Sequence, residues 1–233
     1  MALRKIGLIG AMKEEIEMFH NKLTETVETT KAGIAFTEGL FYGKNVVLCK
    51  SGVGKVNAAV TTQILIDTFQ VDAVLFTGVA GALDPSLNIG DIVVSTECMH
   101  HDMDVTALGF PRGTIPYEAT SVFAADRQLA DLAFASAEKL AVGKALRGRV
   151  LSGDQFIADR GIVSRLYEEL GGSCTEMEGA AVAQACVMNG VPYVVIRSMS
   201  DKADGSAHVN FAEFTVLAAD NSYQIVEDMV QKL

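Results

Sequence analysis

The sequence predicts a single-domain α/β protein built on a mostly parallel central sheet, and three observations carry that expectation. Asp72-Ala-Val-Leu-Phe-Thr-Gly-Val-Ala-Gly-Ala is a continuous apolar run, the pattern of a strand buried on both faces of a parallel sheet. Runs of this kind are interleaved with segments of helical period from the N-terminus onward. A length of 233 residues, with no internal repeat and no linker, suits one hydrophobic core.

The composition narrows the function classes. Apolar residues make up 49% of the chain, mean hydropathy is +0.27 and there are only 4 prolines, so little of it reads as disordered. A formal net charge of -10 argues against nucleic acid or an anionic membrane as partner, since both repel it, while a small neutral or cationic substrate is admitted. Cys49, Cys98, Cys174 and Cys186 are scattered without a C-x-x-C, which suggests neither a disulfide framework nor a zinc site and fits a reducing compartment. The apolar run after Met1 is soon interrupted by charge, too early for a signal peptide or a membrane span. A soluble cytoplasmic protein is expected.

Taken in order, Lys5 to Ala11 reads as a buried strand and Met12-Lys-Glu-Glu-Ile-Glu as a helix start. Gly7 and Gly10 lack the third glycine of a dinucleotide fingerprint, and acids stand where a pyrophosphate would sit, so a dinucleotide cofactor is rejected. Taken singly, Glu14, Glu15 and Glu17 are ordinary complements to a helix dipole. Ile34 to Ser51 is a hairpin turning at Gly43-Lys44-Asn45. Ser51-Gly-Val-Gly-Lys then opens a helix reaching about Phe69. It is shorter than a Walker loop and lacks the hydroxyl after Lys55, so its glycines read as close backbone approach to a ligand.

The 72–82 run is expected to end in a small-residue loop at the sheet edge where ligands bind. Asn88 to Ser95 is another strand, followed by His100-His101-Asp102. Adjacent histidines rarely aim at one ion and no second cluster lies at ligand spacing, so a hydrogen-bonded structural role is expected and no metal. Ala107 to Thr120 is irregular yet apolar, a stretch expected to cover a pocket or a partner subunit. Phe123 to Leu140 reads as a helix, Arg147 to Ile157 as a strand entering a glycine loop, Gly161 to Leu170 as a short helix, and Phe211 to Leu233 as the closing helix.

Thr175-Glu176-Met177-Glu178 precedes an alanine-rich helix, and Val191 to Asp201 is a buried strand ending in an acid. Thr175 with Glu178 makes a capping box. If the segment is helical, Glu176 and Glu178 point apart and only one faces the pocket; Glu178 is the choice and Glu176 the structural residue, an inference that an extended segment would reverse. Glu15, Glu178 and Asp201 all follow strand ends or sit at helix mouths, and in a parallel sheet such ends share one edge.

Gly10-Ala-Met-Lys-Glu-Glu15, Ser51-Gly-Val-Gly-Lys-Val-Asn, Phe76-Thr-Gly-Val-Ala-Gly-Ala, His101-Asp-Met-Asp-Val-Thr-Ala, Ser152-Gly-Asp-Gln-Phe-Ile, Glu176-Met-Glu and Arg197-Ser-Met-Ser-Asp201 occur in this order over nearly the whole chain. Together they resemble the 5'-methylthioadenosine/S-adenosylhomocysteine nucleosidases. The resemblance implies a nucleoside phosphorylase-like three-layer α/β/α fold with a mixed, mostly parallel sheet. It also implies no cofactor and no metal, a homodimer, and hydrolysis of the adenine N-glycosidic bond in methionine salvage and S-adenosylmethionine recycling. It casts Glu15 as the carboxylate that activates water, Asp201 as the acid toward adenine N7 and Glu178 as the holder of ribose hydroxyls. Met177 and Arg197 would line the ribose site, Phe156 would stack on adenine and the Ile157 backbone would read the base edge. Val79, Gly81 and Ser200 fall on binding-site positions. Met12, Val53 and Phe211 would line an apolar 5'-thio pocket, with Leu108, Phe110 and Pro116 of the 105–117 loop reaching in from the other subunit.

The chemistry explains these residue types. Bond cleavage builds positive charge on the sugar and negative charge on the purine, so a carboxylate beside one and a proton donor beside the other both stabilise the transition state. Two departures from the family pattern stand out: Lys13 replaces an acid, and Val79 replaces a serine and so removes a hydroxyl. Two other readings compete. A phosphorylase would need cations for phosphate, yet Arg4 is the only arginine in the first 111 residues. A non-catalytic nucleoside sensor would need neither Glu15 nor Asp201. The residues do not rank methylthioadenosine, S-adenosylhomocysteine, 5'-deoxyadenosine and futalosine-type nucleosides as substrate.

Overall fold

The computed structural model describes residues 3–140, 143–203 and 207–233, with backbone alone at 208 and 209; Met1 and Ala2 of the N-terminal run lie outside them. Ten strands form one mixed sheet. At its centre is β5 (Ala73–Ala82), buried along its whole length as its uninterrupted apolar run requires. Its first half pairs in parallel with β1 (Ile6–Gly10), and β1 pairs in parallel with β4 (Lys44–Lys50). On its other side β5 pairs in parallel with β10 (Tyr193–Asp201), likewise buried at every position.

The second half of β5 behaves differently. Gly81 and Ala82 pair antiparallel with β9 (Gly172–Glu176), which runs parallel to β8 (Ala145–Ser152); β8 runs parallel to β6 (Ile92–His100), and β6 returns antiparallel to β10. The five strands β5, β9, β8, β6 and β10 therefore close on themselves. The small residues Val79 to Ala82, expected in a loop, instead stay in the strand, because β9 and β10 flank them there.

Helices α1 (Lys13–Lys22), α3 (Arg127–Leu140) and α6 (Ala207–Lys232) pack on one face of the sheet, and α2 (Lys55–Asp67) and α5 (Gly179–Asn189) on the other, each face with its own apolar cluster. α4 (Arg160–Leu170) lies against β9. No helix among the described residues is long and apolar enough to cross a membrane.

Three elements depart from the sequence expectation. β2 (Thr24–Lys31), Thr-Glu-Thr-Val-Glu-Thr-Thr-Lys, is an exposed edge strand with no apolar face to read, and its charges suit an edge. β9 is five buried residues without alternation. The helix expected from Phe123 begins only at Arg127: residues Val122–Ala124 form the short strand β7 against β6, and the Asp126 carboxylate accepts the Leu129 N–H (2.9 Å), which sets the helix start.

Candidate active site

The C-terminal ends of β1, β4, β8, β9 and β10, with the late residues of β5, converge on one cavity of about 290 Å³. This is the edge at which open α/β sheets bind ligands. Glu15 enters from the first turn of α1. That turn doubles back so tightly that a Cβ on Gly10 would stand 2.6 Å from Ile16 Cγ2. The Glu15 carboxylate is buried and accepts three backbone N–H groups: Oε2 from Ala11 (2.6 Å) and Met12 (2.9 Å), Oε1 from Val79 (3.0 Å). A Cβ on Gly78 would fall on its Oε1, so β5 must be glycine there for the carboxylate to fit. Burial raises the Glu15 pKa above its ordinary value, only partly offset by the Arg197 charge and the three N–H groups.

Asp201 ends β10 beside Gly81 and is also buried. Its Oδ2 accepts the Ser200 hydroxyl (2.8 Å) and its Oδ1 the Ala203 N–H (2.7 Å). A Cβ on Gly81 would stand 2.9 Å from Oδ1, so a small residue is required on the facing strand.

The 175–178 segment overturns the capping-box expectation. It is not helical: Thr175 and Glu176 belong to β9, α5 starts at Gly179, and Thr175 Oγ1 has no hydrogen-bond partner among the described residues. Glu176 does the capping, accepting the N–H groups of Gly179 (2.7 and 2.9 Å) and Glu178 (3.1 Å). The same carboxylate pairs with Arg197 Nη2 (2.7 Å) and accepts the Ser152 hydroxyl. Glu178 occupies the cap position, yet its side chain turns away from the helix to accept the Gly54 N–H (2.7 Å). Burial and the neighbouring Glu176 charge push its pKa up to about 8, against the Gly54 N–H and Arg197. Because the segment is extended and then bent, both glutamates line the cavity, not one.

Arg197, expected in the ribose wall, is not among the cavity-lining residues. It is 1% exposed, held between Glu176 and the face of Phe76, whose ring centroid is 3.9 Å from its guanidinium carbon. Glu176→Ala would leave this buried cation without its partner and is expected to lower stability by about 3–5 kcal/mol. Urea unfolding measures this, and a loss under about 1 kcal/mol, the level of an exposed pair, would refute it.

Met12, Val53, Val79, Gly81, Phe156, Ile157, Met177, Ser200 and Phe211 all line the cavity beside Glu15, Glu178 and Asp201. Phe156 meets Phe211 edge to face at 5.7 Å. The Val79 side chain packs with Met12, Phe211, Ala218 and Ala219, an apolar patch in which a hydroxyl would find little to bond. Lys13 faces solvent and pairs with Glu17 (3.4 Å), so the charge reversal there leaves the cavity untouched. The sequence reading missed Ala11, Ala80, Gln155, Thr175 and Glu176 as wall residues; all but Thr175 adjoin a predicted one, and for those chain adjacency was the available signal.

Leu108, Phe110 and Pro116 line no part of this chain's cavity, and Leu108 is 67% exposed. His100 Nε2 lies 3.0 Å from Gln184 Oε1, whereas the buried His101 Nε2 has no partner among the described residues, so only the first histidine has the ring hydrogen bond expected of both. Among the described residues, no three His, Cys, Asp or Glu side chains are grouped to hold a metal ion.

Residues 5–231 match the phosphorylase superfamily. A 5'-methylthioadenosine/S-adenosylhomocysteine nucleosidase of Halalkalibacterium halodurans is 42% identical over 232 residues, covering 99% of this chain and 100% of its own. The chain belongs to the 5'-methylthioadenosine/S-adenosylhomocysteine nucleosidase family. It is accordingly an N-glycosyl hydrolase with the nucleoside phosphorylase-like fold. The crystal structure of the Neisseria meningitidis nucleosidase in complex with methylthio-immucillin-A superposes with a TM-score of 0.95 at 38% identity, covering 99% and 100% of the two chains. The futalosine hydrolase of Helicobacter pylori strain 26695 is also similar, with a TM-score of 0.94, 35% identity and 99% and 98% coverage. The fold is therefore shared by enzymes named for different nucleosides.

Proposed function

We propose that this nucleosidase hydrolyses the N-glycosidic bond of 5'-methylthioadenosine and S-adenosylhomocysteine, and of 5'-deoxyadenosine, releasing adenine in methionine salvage and S-adenosylmethionine recycling. The observation that carries the reading is the meeting of Glu15, Glu178 and Asp201 on one small cavity whose remaining wall is largely apolar. Asp201 is the acid toward adenine N7, Glu15 activates the attacking water, and Glu178 holds the ribose hydroxyls. Phe156 and Ile157 serve the base. Met12, Val53 and Phe211 accept the 5'-thio group, whose polarizable sulfur needs contact and no hydrogen bond. Arg197 acts behind Glu176, by holding the carboxylate that anchors the Met177–Glu178 bend.

Among the described residues that line the cavity none is cationic, which favours water over phosphate as nucleophile. The test is adenine release from methylthioadenosine with and without phosphate, with futalosine-type nucleosides in parallel. Equal rates without phosphate are expected. A sugar phosphate product, or stoichiometric binding without turnover, would overturn the reading.

The site is completed by a second copy of the chain. A groove of about 550 Å³ between α2 and α5 is lined by Val56, Val60, Ile115 and Met188, and Val56 and Met188 are more than 70% exposed. Burying this face in a homodimer removes the apolar patch from water and brings the 105–117 loop to the neighbouring cavity. A monomer in sedimentation equilibrium at micromolar concentration would exclude it.

A further inference from the structure

Lys55, Asp102 and Asp154 line no part of the catalytic cavity, yet they form a closed ring against two of its walls. Lys55 Nζ donates to both Asp102 oxygens (2.7 Å each), the Asp154 N–H donates to Asp102 Oδ2 (3.0 Å), and the Lys55 N–H donates to Asp154 Oδ1 (2.8 Å). The three residues come from different elements: the first turn of α2, the loop after β6 and the loop after β8. α2 has glycine at its cap position and no side-chain cap of its own, so Asp154, 99 residues away, supplies one. Gly54 has a φ of +100°, and a Cβ there would stand 3.2 Å from the capping Asp154 oxygen; both facts call for glycine.

The ring's neighbours in the chain are what matter for the reaction. Gly54, immediately before Lys55, gives its N–H to Glu178, and Gln155 and Phe156, immediately after Asp154, are cavity wall. Resting on the nucleosidase reading, we propose that Asp102 is a positioning residue: through Lys55 and Asp154 it fixes the Gly54 amide on Glu178 and the Phe156 wall in a single arrangement. Without it, both stretches are loops free to shift by an ångström, and a misplacement of about 1 Å can cost ~10²-fold in rate. Burial alone would raise the Asp102 pKa, but the bonds from Lys55 and the Asp154 N–H outweigh it and hold it below the ordinary value, so Asp102 is an acceptor for both at neutral pH.

The test uses Asp102→Ala, Asp102→Asn, Lys55→Met and the double variant Lys55→Met/Asp102→Ala. Adenine release gives kcat and KM, calorimetry the adenine affinity, and thermal unfolding the stability. Asp102→Ala is expected to lose about 10²-fold in kcat/KM, mostly as a higher KM, because ribose and base contacts act before the transition state as well as in it. Asp102→Asn, which keeps an acceptor for Asp154 but loses the ion pair, falls between it and the wild type. The double variant should be no worse than Asp102→Ala, as members of one ring are not additive. Adenine affinity should fall in parallel. Wild-type KM and adenine affinity in the folded variants would overturn the proposal, as would losses that vanish at temperatures where the variant is fully folded. Should Asp102→Ala fail to fold, Asp102→Asn and Lys55→Met decide the matter by the same measurements. Absence of turnover in the wild type would refute the nucleosidase reading instead, and adenine affinity would still test the ring.

Discussion

Asp201→Asn lowers kcat by about 10²–10⁴-fold, the usual contribution of a positioned general acid, while the protein still binds adenine or a substrate analogue. The substitution suits the question because it removes the titratable proton while an amide can still serve the bonds to Ser200 and Ala203. An asparagine oxygen can accept the Ala203 N–H as Oδ1 does now, and its amide can donate to Ser200 Oγ, whose own proton then turns to the Ala80 carbonyl, 3.4 Å away. What asparagine cannot do is deliver a proton to the purine as the bond breaks. Steady-state kinetics with binding by calorimetry separates the two effects; near-normal turnover would remove Asp201 from the acid role, and loss of binding as well would make its role structural.

Glu15→Gln should produce a loss of similar size, about 10²–10⁴-fold, for a different reason, and with a second signature. The wild-type carboxylate is the acceptor for three N–H donors, two on one oxygen and one on the other. Whichever way the glutamine amide is turned, its NH₂ confronts at least one of them, so a stability loss of about 1–3 kcal/mol should accompany the kinetic loss. The pH profile distinguishes the chemical from the structural component. A base must be ionised, and the Glu15 pKa is raised by burial, with that of Glu178 at about 8. Wild-type kcat/KM should therefore fall as pH is lowered, and begin to do so above about 4.3, the ordinary value for a glutamate. In Glu15→Gln the part of that fall due to Glu15 disappears and the part due to Glu178 remains. A wild-type profile that starts to fall only below about 4.3, the ordinary glutamate value, or turnover by Glu15→Gln near the wild-type rate, would rule out this assignment.

Both carboxylates were legible in the sequence as acids at strand ends, and so was the order of most strands and helices. Apolar runs and helical period are local properties, and burial on one or both faces of a sheet is written in them residue by residue. The resemblance to the nucleosidase family also lay in the sequence, because its motifs are contiguous. Legibility stopped where a side chain's partner comes from elsewhere in the chain. Glu176 read as the structural acid of its pair, turned from the pocket; it caps Gly179 but also lines the cavity, and both facts could be read only once the 175–178 segment was seen to be bent and not helical. Its bond to Arg197 spans 21 residues, and that bond withdraws the arginine from the cavity. β2 had no apolar pattern because an edge strand in water needs none.

The sequence by itself determined which residues are acidic, apolar or glycine, and hence the α/β class, the buried strands and the family. The environment that makes each acid chemically distinct arose only in the folded chain. Val79 donates to Glu15 from 64 residues away and Gly54 to Glu178 from 124. A carboxylate's pKa depends on its burial and on the N–H groups and charges within a few ångströms, and those neighbours are chosen by strand register and ring closure, not by position along the chain.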